Sequence, residues 1–248
     1  MLEFQSQLIF PTHAVASPGP LPAGAVRLTL EGADGDQLHG VRIPATRASQ
    51  DRRILIIGFA GNAWNSEDAA TSLHRIYPGC DVVVFHYRGY RPSTGSASSD
   101  ALIADAPLVY DFAVGLVKPD TTVAVGFSIG SGVAASLARA RPLDGLILVT
   151  PFDSLRAVAS GLYPFLPVGM FFRHEMDAAG ALKGSNVPTA LIAAEHDTLI
   201  PAERTAALRR SVGRLAHDRT IAGAGHNDIY QHPEMGTAMR EAFAAVTR

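Results

Sequence analysis

The chain has 248 residues, 47% of them hydrophobic and 18% charged, and its formal net charge is -2. A chain of this length can bury a large core as one domain, and its near-neutral charge argues against a nucleic-acid partner. The single cysteine, Cys80, excludes an internal disulfide and a cysteine-based metal cluster. No apolar run approaches the ~20 residues that a membrane-spanning helix needs, and the N-terminus lacks a signal-peptide pattern. We therefore expect a cytoplasmic protein without a transmembrane segment.

The first part of the chain predicts an extension followed by a β-hairpin. Residues 1–24 form an N-terminal extension that ends in a linker rich in proline and glycine, which no regular element accommodates. Apolar and polar residues alternate over Val26–Leu30 and again over Leu38–Ile43, as in half-buried strands. Turn-forming residues at 32–36 separate the two segments, so we predict an antiparallel hairpin.

The rest of the chain alternates continuous apolar runs with helical patterns. The apolar runs are typical of strands covered on both faces and lie at Ile54–Phe59, Val82–Phe85, Val123–Val125, Leu146–Val149 and Thr189–Ala194. Helical patterns fill the intervals at Glu67–Ile76, Asp100–Leu116, Ile129–Arg139, Ala202–Arg210 and Glu234–Val246. With a short last strand at about Arg219–Ile221, this order predicts an α/β fold. We expect a mostly parallel, doubly wound sheet of about eight strands, in a single domain over residues 1–248.

A serine lies between two glycines where the strand at 123–125 meets the following helix. The sequence Gly126-Phe127-Ser128-Ile129-Gly130 fits the G-x-S-x-G nucleophile elbow, in which a tight turn exposes the serine at the end of the strand. The serine would also lie at a helix N-terminus, where free N–H groups favour a developing negative charge. The alternative interpretation is a glycine-rich turn that carries an ordinary serine.

Two further residues complete the pattern that a serine nucleophile requires. A serine needs a base, the base needs an orienting acid, and in a parallel sheet such groups follow the carboxyl ends of the strands. Asp197 and His226 each follow a predicted strand, so we predict a catalytic triad of Ser128, Asp197 and His226. Asp153, which follows the preceding strand, is a rival for the acid. Asp197 could instead cap the next helix, and His226 could be a surface-loop histidine.

An oxyanion hole requires two N–H donors. We predict the backbone N–H of Ile129, the residue after the nucleophile, and the backbone N–H of Asn62, which follows the first buried strand. Ala63 is the alternative to Asn62. The chain contains neither an H-E-x-x-H motif nor a Gly-Lys-Ser/Thr phosphate loop, so the sequence implies no metal and no cofactor.

With these motifs the chain resembles the α/β-hydrolase superfamily, and within it the depalmitoylase-like and Bem-type membrane-associated serine hydrolases. The resemblance runs from about residue 25 to the C-terminus and rests on Gly61-Asn62-Ala63, Tyr87-Arg88-Gly89-Tyr90, Gly126-Phe127-Ser128-Ile129-Gly130, Pro151-Phe152-Asp153-Ser154-Leu155, Tyr163-Pro164-Phe165-Leu166-Pro167, Asp197-Thr198-Leu199-Ile200-Pro201 and Gly225-His226-Asn227-Asp228. It implies an α/β-hydrolase fold and hydrolysis through an acyl-serine intermediate. The family pattern has other residues at Ala60, His86 and Arg91, and these changes could alter substrate choice or reduce activity.

Residues 156–186 lie between two predicted strands, where this fold inserts its cap, and they predict a short cap insertion. Its segment Leu162–Phe172 is the most apolar loop of the chain, and an apolar flap favours an acyl substrate. We predict Trp64, Phe165 and Phe171 as residues of the substrate pocket, with simple packing in the core as the alternative.

The function predicted from the sequence is hydrolysis of an ester or thioester of a small or apolar acyl group. The expected partner is a small-molecule acyl substrate. The resemblance also implies one alternative, a serine aminopeptidase or amidase. The competing class is a catalytically weak binding protein with a hydrolase fold. The sequence leaves the oligomeric state open.

Overall fold

The computed structural model describes residues 9–32, 34–46, 52–162 and 172–248. The chain divides into two compact units, Met1–Ala124 and Val125–Arg248. The single domain predicted over residues 1–248 stays a prediction.

Eight strands form one sheet in the order β1-β2-β4-β3-β5-β6-β7-β8. They are β1 (Val26–Glu31), β2 (Gln37–Ile43), β3 (Ile54–Phe59), β4 (Asp81–Phe85), β5 (Thr121–Phe127), β6 (Gly145–Val149), β7 (Thr189–Ala194) and β8 (Leu215–Ile221). Pairing is antiparallel for β1 with β2 and for β2 with β4. It is parallel for β3 with β4, β6 with β7 and β7 with β8. The predicted α/β class, with a mostly parallel sheet and an N-terminal antiparallel hairpin, is confirmed.

Within its described residues, the first unit carries two α-helices, α1 (Ser66–Ile76) and α2 (Ser99–Val117). Helix α1 packs on β2, β3 and β4, and α2 packs on β3 and β4. This cover explains why β4 is buried at every position and why its residues 82–85 are apolar without alternation. Helix α1 begins after Asn65, whose side-chain oxygen accepts a hydrogen bond of 2.9 Å from the Glu67 N–H. The cap fixes the end of the loop that follows β3.

The second unit carries five helices among its described residues, namely α3 (Ile129–Ala140), α4 (Leu155–Leu162), α5 (Ala178–Leu182), α6 (Ala202–Ser211) and α7 (Met235–Val246). Helix α7 packs on β6, β7 and β8 through buried residues at helical spacing, Met235, Ala238, Met239, Ala242 and Val246. Because β6, β7 and β8 are parallel, the loops that follow them leave the same edge of the sheet.

The structure differs from the predicted elements at the edge strand and adds detail to the predicted cap. Strand β8 begins at Leu215 rather than near Arg219, because its first residues are polar or exposed and form no apolar run. The predicted cap at 156–186 includes most of α4 and all of α5, whereas residues 163–171 lie outside the described residues. In the ranges that the structure describes, no helix combines the length and the apolar character needed to cross a bilayer.

Candidate active site

Ser128 lies at the end of β5, in the elbow that the sequence predicts. Its backbone φ of 51° and ψ of -117° are values that L residues rarely adopt, which indicates a constrained turn. A Cβ on Gly126 would lie 2.7 Å from the Cα of Ser131, so the turn has no room for a side chain there. The Ser128 hydroxyl makes no cap hydrogen bond to α3, which leaves it available to another partner.

The three side chains predicted as a triad lie in hydrogen-bonding sequence within the second unit. Ser128 Oγ is 2.9 Å from His226 Nε2, and His226 Nδ1 is 2.7 Å from Asp197 Oδ2. The side chains of His226 and Asp197 are only 7% and 4% exposed. Because the carboxylate faces Nδ1, that nitrogen keeps the proton and Nε2 is left to accept the serine proton. The arrangement can therefore activate the Ser128 hydroxyl as a nucleophile.

The carboxylate of Asp197 is held by the backbone as well as by His226. Its Oδ1 accepts hydrogen bonds from the N–H groups of Leu199 at 3.0 Å and Ile200 at 2.7 Å. Its Oδ2 is left to face the imidazole, so the two oxygens have separate tasks and the carboxylate plane is fixed. The alternative in which Asp197 caps the next helix is not observed, since α6 begins after Pro201 without a side-chain cap.

The rival acid, Asp153, has a different partner. Its Oδ2 accepts a hydrogen bond of 3.2 Å from Arg204 Nη1 on α6. The adjacent hydroxyl of Thr205 donates to Pro151 O at 2.8 Å. Asp153 therefore joins α6 to the loop after β6 rather than orienting His226.

The predicted oxyanion donors belong to different elements. Ile129 is the first residue of α3, and the first N–H groups of a helix have no acceptor within it. Asn62 lies in the turn after β3, where its Nδ2 donates to Ile9 O and its Oδ1 accepts from the Tyr90 hydroxyl. These contacts fix the Asn62 side chain and leave its backbone N–H as the relevant group. The role of Ile129 and Asn62 as oxyanion donors stays a prediction.

Comparison with known proteins identifies the family. The uncharacterized protein Rv2307c of Mycobacterium tuberculosis (strain ATCC 25618 / H37Rv) is 30% identical over 238 residues, covering 92% of this chain and 83% of that protein. The alpha-beta hydrolase of Vibrio vulnificus has a TM-score of 0.76 at 19% identity, covering 98% of this chain and 93% of that one. The chain belongs to the α/β-hydrolase superfamily, in one family with Rv2307c. No protein-family model matches it.

Two further similarities bear on this α/β-hydrolase. The lysophosphatidylserine lipase ABHD12 of Danio rerio is 26% identical over 230 residues, covering 80% of this chain and 60% of that protein. An esterase of Pyrococcus furiosus has a TM-score of 0.69 at 18% identity, covering 93% of this chain and 94% of that one. The chain thus spans less than two thirds of the ABHD12 protein. The depalmitoylase-like or Bem-type subgroup stays a prediction.

The motif at residues 87–90 supports the structure of the first unit, a function that its sequence did not reveal. Tyr87 donates its hydroxyl to Ala60 O at 2.8 Å, and Tyr90 donates to the Asn62 side chain. Burial raises the pKa of both phenols, so they stay protonated and can donate. The buried Arg88 pairs with Asp105 at 2.5 Å. Spacing alone carried no signal for these partners.

Tyr230 is a residue near the triad that sequence reasoning missed. It follows His226 in a short 3-10 turn, and its ring packs edge-on against Phe127, with 5.9 Å between ring centroids. Burial, with a further contribution from the negative charge of Asp197, raises the pKa of Tyr230 to about 12. Its hydroxyl therefore remains a hydrogen-bond donor at neutral pH.

The predicted pocket residues remain predictions. Trp64 is half-buried in the turn after β3, where its backbone N–H donates to Gly61 O at 3.2 Å. Phe165 and Phe171 lie outside the described residues. Among residues whose positions are described, no group of three His, Cys, Asp or Glu side chains could hold a metal ion.

Proposed function

We propose that this α/β-hydrolase is a serine hydrolase that cleaves a carboxylic ester or thioester of an apolar acyl group. The observation that carries the proposal is the continuous path from Ser128 Oγ to His226 Nε2 at 2.9 Å, and from His226 Nδ1 to Asp197 Oδ2 at 2.7 Å. Ser128 and the side chains of His226 and Asp197 are each 7% exposed or less. This burial limits water around the three groups and strengthens the hydrogen bonds between them.

The first half-reaction acylates the enzyme. Ser128 Oγ attacks the acyl carbon while His226 Nε2 takes the hydroxyl proton, and Asp197 stabilises the resulting imidazolium. The tetrahedral intermediate then collapses. The bond to the leaving group breaks, Nε2 returns the proton to the departing alcohol or thiol, and the acyl group remains as an ester of Ser128.

The second half-reaction restores the enzyme. Water attacks the acyl-serine carbon while His226 Nε2 accepts a proton from the water. Collapse of the second tetrahedral intermediate releases the carboxylic acid, and Nε2 returns the proton to Ser128 Oγ. In both half-reactions the N–H groups of Ile129 and Asn62 are the proposed donors to the oxyanion.

The proposed substrate class rests on chemistry and on similarity. The triad chemistry serves esters, thioesters and amides alike. The relatives that are lysophosphatidylserine lipases by name favour an ester with a long acyl chain. A monoacyl lipid is therefore the substrate class that we place first, ahead of a short-chain ester.

A substrate panel tests this proposal. Purified protein is assayed with p-nitrophenyl esters from acetate to palmitate, a palmitoyl thioester, a monoacyl phospholipid and an aminoacyl anilide. We expect turnover of the long-chain esters, and a loss of about 10⁴-fold or more in Ser128→Ala. Turnover of the anilide alone would indicate an aminopeptidase. Absence of any turnover by folded protein would indicate a binding protein and contradict the proposal.

A further inference from the structure

A cleft of about 1060 Å³ opens in the first unit, lined by the N-terminal segment at 12–18, the start of α1 and the turn at 86–95. All its lining residues belong to this unit, whereas Ser128, Asp197 and His226 belong to the second. The cleft is therefore built from residues that the proposed acyl transfer does not use.

The walls of the cleft are fixed by hydrogen bonds rather than formed by a loose segment. Asn65 Nδ2 donates to Ala16 O at 3.0 Å, and Asp68 Oδ1 accepts from the Gly19 N–H at 2.9 Å. Both contacts tie the N-terminal segment to the start of α1. A site with fixed walls binds a ligand at a smaller cost in conformational entropy.

The turn at 86–95 is equally constrained. The hydroxyl of Ser93 donates to His86 O and accepts from the His39 N–H, both at 2.9 Å. The Thr94 N–H donates to Gln37 O at 2.9 Å. These bonds anchor the turn to β2 and hold Arg91 at its exposed tip.

Two basic side chains of the cleft have no partner within the described residues. His86 is 3% exposed, and its Nε2 is buried without a hydrogen bond to any described group. Arg91 forms no ion pair with a described carboxylate. Because His86 Nε2 is shielded from solvent, a ligand in the cleft does not reach it, and the exposed Arg91 is the accessible donor.

The charges around the cleft favour an anion. Among the described lining residues the one carboxylate is Glu67, and it already accepts a hydrogen bond of 3.0 Å from Arg27. The pKa of His86 is lowered to about 4, mainly by burial and further by the charges of the neighbouring His39 and Arg27. His86 is therefore neutral at physiological pH, while Arg91 supplies a positive charge and a planar fork of donors that suits phosphate or carboxylate oxygens.

We propose that this cleft binds a phosphorylated small molecule, with Arg91 contacting the phosphate. The volume exceeds that of a bare anion, and the remaining lining is mostly small, neutral or apolar, which suits an organic body attached to the phosphate. The site does not depend on the proposed hydrolase activity, because no residue of the triad takes part in it.

Calorimetric titration of the 248-residue chain with glycerol 3-phosphate tests the proposal, with glycerol as the neutral control. We expect saturable binding that Arg91→Gln weakens by about 10-fold or more, since a charge-assisted hydrogen bond is lost. Arg139→Gln, a matched change at an exposed arginine of α3, should bind like wild type. Ser128→Ala should also bind like wild type, which separates this site from the catalytic proposal.

Two outcomes would overturn the phosphate site. One is the absence of saturable binding of both glycerol 3-phosphate and its monoacyl form, and the other is equal binding by Arg91→Gln and Arg139→Gln. The same titration with a monoacyl glycerol 3-phosphate, below the concentration at which it forms micelles, distinguishes the source of the phosphate. Arg91-dependent binding of both compounds assigns the cleft to soluble phosphates, and Arg91-dependent binding of the acylated compound alone assigns it to a lipid headgroup.

Discussion

The hydroxyl of Tyr230 lies 3.1 Å from Thr150 Oγ1 and ties the turn that follows His226 to the end of β6. Thr150 donates its own hydroxyl proton to Val149 O at 2.8 Å, so Tyr230 must be the donor in the bond between them. The same Val149 oxygen accepts the Ser128 N–H at 2.9 Å. Tyr230 thus connects the loop of the proposed base to the turn of the proposed nucleophile.

The first prediction concerns Tyr230 as a positioning residue. Tyr230→Phe removes one buried hydrogen bond and should lower the free energy of unfolding by about 1 kcal/mol. If the bond also positions His226, kcat for ester hydrolysis should fall several-fold while KM stays unchanged. Thr150→Ser keeps the acceptor and should keep wild-type kcat. A loss of stability with no change in kcat would show that the bond is only structural.

The second prediction separates the two candidate acids. Asp197→Asn keeps the shape of the side chain but no longer favours the imidazole tautomer with the proton on Nδ1, so kcat should fall by about 10³–10⁴-fold. Asp153→Asn weakens the pair with Arg204 and should reduce the free energy of unfolding by about 1–3 kcal/mol, with kcat nearly unchanged. Ester kinetics and urea unfolding of both variants would reveal a reversed assignment if Asp153→Asn showed the larger loss of kcat.

The third prediction concerns the support of Asn62 by Tyr90. Tyr90→Phe removes the donor to Asn62 Oδ1 and leaves that oxygen without this partner. If the Asn62 N–H stabilises the oxyanion, kcat should decrease several-fold with KM unchanged, because the oxyanion exists only near the transition state. Unchanged kcat in a variant whose thermal unfolding shows lower stability would argue against Asn62 as a donor.

The fourth prediction is a pH dependence of stability that arises from His86. The pKa of His86 is lowered from 6.5 to about 4 by burial and by the neighbouring His39 and Arg27. As the pH falls below 6.5, the unfolded chain takes up a proton at His86 that the folded chain does not, and this uptake favours unfolding. The stability that neutral His86 contributes is therefore fully present above pH 6.5. It is lost as the pH falls to about 4, by roughly 3 kcal/mol in total.

His86→Gln is the variant that tests this pH dependence. Its free energy of unfolding should decrease less than that of wild type between pH 6.5 and pH 4. His13→Gln, a change at an exposed histidine, should follow the wild-type curve. Parallel curves for wild type and His86→Gln would mean that folding does not lower the pKa of His86.

Much of the fold was predictable because buried parallel strands appear in a sequence as continuous apolar runs. The apolar run at 189–194 coincides with β7, and the alternation at 38–43 lies within β2. The start of β8 was missed because His217 and Asp218 belong to a half-exposed edge strand, where polar side chains are tolerated. Hydrophobic patterns therefore identify strands that are covered by other elements, but they do not identify strands that are exposed.

Chain order was enough to propose the candidate triad, but it could not show which side chains contact one another. Asp153 and Asp197 both follow a strand, so spacing could not decide between them. The structure pairs Asp153 with Arg204 and places Asp197 at His226. The hydrogen bond from Tyr230 to Thr150 joins residues far apart in the chain, and no local sequence motif indicates it.

Labelling with a fluorophosphonate tests the central claim most directly, because the probe reacts only with an activated serine. Peptide mapping by mass spectrometry should place one label on Ser128. The label should be absent from Ser128→Ala and His226→Ala and retained in Ser136→Ala, a matched change within α3. Labelling of folded Ser128→Ala, or no labelling of folded wild-type protein, would contradict the assignment of Ser128 as the nucleophile.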